Sequence, residues 1–108
     1  VNAAEHHTWL AVDLVPALRS KGDARPHDGA IAALDRLIGF GFDVVIVSER
    51  SRTLSGRQIT DEWLAAHHLP PLKQAFDVTA YTPRVNVHDL AFLLACADNP
   101  DLVESPAK

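Results

Sequence analysis

The chain holds one cysteine, Cys96, among 108 residues, so no disulfide can form within it, and no Cys/His spacing of the zinc-ribbon or finger type occurs. A reducing cytoplasm is the expected setting. No apolar stretch approaches the roughly 20 residues of a membrane span, and residues 1–7 lack a basic segment followed by an apolar one, so no membrane association is expected. Basic excess is missing too. Ten Lys and Arg stand against fourteen Asp and Glu, a formal charge of -4, and phosphate-backbone affinity needs clustered cations, so no nucleic-acid partner is expected. Local basic spots remain at Arg50, Arg52 and Arg57. The six histidines include two adjacent pairs, His6 with His7 and His67 with His68, whose side chains diverge on a strand or a helix and make no chelate. There is no internal repeat and no low-complexity segment.

What is present fits one domain with one core: 47% of residues are hydrophobic and 22% charged. Residues 1–98 are read as that domain and 99–108 as a loose C-terminal tail. Residues 8–12 are apolar and too few for a helix, which predicts a buried strand closed by Asp13. Residues 14–27, with Pro16, Gly22 and Pro26 among charged side chains, predict an irregular polar lobe. Asp28 is a plausible N-cap, after which Ile31, Leu34, Leu37 and Ile38 recur at helical spacing until Gly39 and Gly41. Residues 42–47 are nearly continuous in apolar, β-branched character, the pattern of a central parallel strand covered on both faces, and Ser48 follows. Residues 51–56 read as loop, Thr60 as the cap of a helix ended by Pro70 and Pro71, residues 77–80 and 85–88 as short strands, and 90–97 as an apolar helix. Trp9 and Trp63 fall within apolar patterns and read as core aromatics. Cys96, among Phe92, Leu93 and Leu94, reads as an inert buried thiol.

This order predicts an α/β fold, a doubly wound, Rossmann-like, mostly parallel sheet flanked by helices. Right-handed crossovers bring the C-terminal ends of the main strands to one rim, where open α/β sheets keep their ligand sites. Asp13, Ser48 and the pair His88-Asp89 are expected to meet there.

The segments Ala11-Val-Asp-Leu-Val-Pro-Ala-Leu18, Asp28-Gly-Ala-Ile-Ala-Ala-Leu-Asp-Arg-Leu37, Phe42-Asp-Val-Val-Ile-Val-Ser-Glu-Arg50, Thr60-Asp-Glu-Trp-Leu-Ala-Ala-His-His-Leu-Pro70 and Thr82-Pro-Arg-Val-Asn-Val-His-Asp-Leu-Ala91 together resemble the haloacid dehalogenase-like phosphohydrolase superfamily, in its small members without a large cap. The resemblance covers most of the chain. It implies Asp13 as the nucleophile, Ser48 and Thr82 as phosphate contacts, and Asp13, the Val15 carbonyl and Asp89 as magnesium ligands. Three positions depart from the family pattern. Val15 stands where the general acid and base is expected, which removes a contribution of typically ~10²–10⁴-fold. Thr82 stands where a lysine neutralises phosphate, and His88 where a carboxylate holds magnesium, although imidazole is a poor ligand for that ion.

The resemblance therefore implies a catalytically degenerate domain acting as a binding or interaction module, with a protein partner or a second copy of itself as ligand and no cofactor. The alternative is a magnesium-dependent phosphohydrolase using Asp13, with His27 or Glu49 as the nearby proton donor. A third reading is a flavodoxin-like or receiver-like module, which strand order separates from the others.

Overall fold

Four apolar residues closed by an aspartate, followed by a lobe, a helix and a second run of four apolar residues, form the centre of a four-stranded parallel sheet. The computed structural model describes residues 9–22, 24–77 and 84–104. Strand β1 (Trp9–Asp13) and strand β2 (Asp43–Val47) each bury their three middle residues. Strand β3 (Lys73–Ala75) and strand β4 (Arg84–Val87) flank them in the order β3-β2-β1-β4, every pair parallel. The chain steps outward from β1 to β2 to β3 and then returns to the far side of β1. A flavodoxin-like order would place the third strand beside the first. Here β3 pairs with β2 instead, which removes the third reading.

Register decides which residues share a face. Leu10 lies opposite Val44 and Val85, and Val12 opposite Ile46 and Val87, so with a period of two these side chains stand on one face. That face joins the core with Leu34 and Leu37 of helix α1 (Ala30–Gly39), Leu64 of helix α2 (Leu54–Ala66), and Leu93 and Cys96 of helix α3 (Leu90–Asp98). Each buried leucine or valine contributes about 1.5–3 kcal/mol. Ala11 and Val45, on the opposite face, are buried but stand outside that core. β2 is thus buried on both faces, as its nearly continuous apolar run predicts, while the core residues of α1, α2 and α3 join the face of Leu10, Val12, Val44 and Ile46.

Several boundaries differ from the sequence reading, each for a local reason. Gly29, not Asp28, caps α1, because the chain turns there at φ +83°, a conformation open to glycine. Residues 51–56 are not loop. A short tight helical turn (Glu49–Arg52) runs into α2, whose first turn is capped by Thr53 Oγ1 accepting from Gly56 N at 3.0 Å. Gly56 packs against that turn, and a Cβ there would lie 1.8 Å from the Arg50 carbonyl oxygen. Thr60 consequently sits in mid-helix and is buried, not at a cap.

Strand β3 is one that the sequence pattern does not predict. Lys73–Ala75 has little β propensity, but the parallel ladder to Val45, Ile46 and Val47 holds it. The Gln74 side chain accepts from Ser51 Oγ and donates to the Arg57 carbonyl and to Asp61 Oδ1, at 3.1, 3.2 and 2.6 Å. Most of the predicted strand 77–80 lies outside the described residues. The chain does not become a loose tail at Asn99. A helical turn, α4 (Asp101–Glu104), returns Val103 to the core at 1% exposure. Helices α1 and α3 lie side by side, joined at the surface by Arg36 and Asp98 at 3.3 Å.

Candidate functional site

Asp13 is the last residue of β1 and faces Val47, the last of β2, so Ser48 follows one residue beyond on the same rim. Immediately after Asp13 the chain makes a wide helical turn (Leu14–Leu18) closed by Arg19 N donating to the Leu14 carbonyl at 3.1 Å. Val15 departs from helical geometry at φ -121°, ψ 126°, and its side chain is exposed. The lobe then folds back on itself. Arg19 and Pro26 form an antiparallel bridge, and His27 N donates to the Leu18 carbonyl at 2.7 Å.

Between this lobe and the end of β2 lies a cavity of about 610 Å³, within the ~300–1,000 Å³ range of small-molecule sites. Asp13, Val15 and Ser48 line it together with Glu49, Arg50 and Lys21. Ser48 caps the turn that follows. Its Oγ accepts from Arg50 N at 3.2 Å, so its own proton remains available to a ligand.

Across the return point of the sheet, His88 follows β4 and its Nδ1 donates to Asp13 Oδ2 at 3.0 Å. Asp13 keeps about a quarter of its side chain exposed, whereas His88 is two-thirds exposed. The rim thus gathers Asp13, Ser48 and His88, as their positions after parallel strands require.

Asp89 has a different place. Its Oδ1 accepts from Phe92 N at 2.8 Å as the N-cap of α3, and it is not among the cavity-lining residues. Thr82 lies outside the described residues. His27, one candidate proton donor, is tied through Nε2 to the Pro16 carbonyl at 2.8 Å, while Glu49 stands on the cavity wall.

The donors expected to hold magnesium do not form a set that fits it. Asp13 is engaged by an imidazole and Asp89 by a helix end, and among the described residues no group of three or more His, Cys, Asp or Glu side chains converges. Magnesium demands a near-octahedral shell of oxygen donors. Elsewhere, burial pushes the Cys96 thiol above its ordinary pKa, so it holds little reactive thiolate. Among the described residues no helix is long and apolar enough to cross a membrane.

Sequence reasoning missed a second group beside the rim: Arg19, Thr60 and Trp63. Arg19 read as part of a solvated lobe and is 6% exposed, Thr60 read as a helix cap and is 1% exposed, and Trp63 donates from Nε1 to the Ala24 carbonyl at 2.5 Å. The available signal was Gly56. Its small size lets α2 start close to the Arg50 turn, which brings that helix to the rim. Compared with protein-family models, with curated proteins and with solved structures, the chain matches none, and the fold stated here, a four-stranded all-parallel sheet with flanking helices, stands on its own topology.

Proposed function

We propose that the chain is a catalytically degenerate haloacid dehalogenase-like domain that binds a ligand at the ends of β1 and β2 without hydrolysing it. One observation carries this reading: His88 Nδ1 holds the Asp13 carboxylate at 3.0 Å, at the position where the resemblance expects a second carboxylate and a metal. An imidazole there orients Asp13 and competes for the oxygen that would attack phosphorus. Val15, two residues on, has no proton to give or take, so neither the leaving group nor an attacking water is activated from that position. The ligand is not nucleic acid, given the charge of -4.

Hydrolysis of p-nitrophenyl phosphate in millimolar magnesium chloride tests the proposal, with Asp13→Asn as control. The expected outcome is the same background rate for both proteins. A rate that depends on Asp13 overturns it. The phosphohydrolase reading is favoured by one fact, that Asp13 and Ser48 line a single cavity. Stable capture of fluoroberyllate at Asp13 with magnesium supports that second reading.

A further inference from the structure

The rim cavity has a neighbour. A second cavity of about 410 Å³ is walled by Ile59, Thr60, Glu62 and Trp63 of α2 and by Ala24 of the lobe. Leu14, Arg19, Gly22 and Arg50 line both, so the two are lobes of one groove that share these four residues as a partition.

The lobes differ in chemistry. The first carries Arg19, Lys21 and Arg50 against Asp13 and Glu49, together with the Ser48 hydroxyl. Lys21 and Arg50 are exposed, and among the described residues neither side-chain cation has a hydrogen-bond or ion-pair partner. An anionic group entering that lobe meets a planar guanidinium, an ammonium and a hydroxyl donor, the combination that recognises phosphate oxygens.

The second lobe has an apolar wall of Leu14, Ala24, Ile59 and the Trp63 indole. The indole is fixed, because its Nε1 bonds to the Ala24 carbonyl and its ring rests 4.6 Å from that of His67. A fixed aromatic wall takes a flat ring at low ordering cost. At the same wall Thr60 is 1% exposed, and its Oγ1 has no hydrogen-bond partner among the described residues. Such a hydroxyl is costly in the free protein, and an acyl chain would leave it so. A ring bearing N–H or carbonyl groups would satisfy it after a small side-chain adjustment at the wall.

We propose that this groove is a binding site for a phosphorylated heteroaromatic compound of the nucleoside monophosphate class, with its phosphate held by Ser48, Lys21 and Arg50 and its ring set against Trp63 and Ile59. This deepens, and rests on, the reading of the rim as a binding site.

Titration calorimetry without magnesium, at fixed ionic strength, uses adenosine monophosphate, adenosine and inorganic phosphate as probes. Adenosine monophosphate is expected to bind at least about tenfold more tightly than either fragment, since both lobes are then filled. Arg50→Ala weakens the nucleotide about tenfold, the loss of one charge-assisted contact, and affects adenosine less, since Arg50 lines the ring lobe only as part of the partition. Thr60→Val weakens adenosine and the nucleotide alike, yet raises the Tm of the ligand-free protein by removing an unsatisfied buried hydroxyl, which separates a lost contact from a lost fold. Nucleotide binding no tighter than phosphate, or indifferent to Arg50→Ala, overturns the proposal. Asp13-dependent hydrolysis of the nucleotide once magnesium is added, with the binding pattern intact, would remove the non-catalytic reading and keep the groove. Absence of both binding and turnover would remove the groove and keep that reading.

Discussion

Helices α1 and α2 occupy equivalent places in two successive strand-helix-strand units and use their inner faces differently. α1 turns Ala30, Ala33, Leu34 and Leu37 inward, all buried against the sheet and α3. α2 turns in Gly56, Thr60 and Leu64, one residue per turn, of which only Leu64 is a large apolar side chain. The first helix is anchored by volume. The second is anchored by close approach at its start and by polar links through Gln74, and the space left by its smaller side chains is the groove. One topological unit thus supplies cohesion while its twin supplies concavity.

The sharpest way to break this contrast is to hollow out α1. Leu37→Ala is expected to lower unfolding stability by about 2–5 kcal/mol, the range for a fully buried leucine, read by urea denaturation. A loss below ~1 kcal/mol would mean that α1 is not the anchor. Gly56→Ala comes next, at about 1–3 kcal/mol, because the added methyl would meet a backbone carbonyl that cannot move without displacing the turn before α2. The same change should widen the groove entrance, visible as altered amide shifts at Ser48 and Arg50. Thr53→Ala is the mildest test. It removes the α2 cap and is expected to cost about 1 kcal/mol, whereas α1, capped by Gly29 with no side-chain bond, has no such contact to lose.

The apolar strands and α1 were legible because their patterning is strong. Trp9 to Asp13 and Asp43 to Val47 can bury their centres only as strands, and Ile31, Leu34, Leu37 and Ile38 repeat with a helical period. Asp13 and Ser48 on one rim followed from parallel strands alone. What escaped was held by tertiary partners. Leu54 to Gln58 carries Ser, Gly and Arg, and is helical through the Thr53 cap and the fit of Gly56 against Arg50. Lys73 to Ala75 is a strand only because β2 lies beside it. Asp89 shows the same limit at the site, since an acid before an apolar helix serves equally as a metal ligand or as an N-cap, and here Phe92 N takes its Oδ1.

The brevity of β3 bears on how this molecule meets its own kind. At that margin the sheet offers, among the described residues, three residues, with the Lys73 ammonium drawn back over the Trp9 ring and the Gln74 amide committed to α2 and the turn before it. A neighbouring chain finds almost no ladder to continue there, which guards against edge-to-edge aggregation. Copies that associate on that flank must do so through side chains.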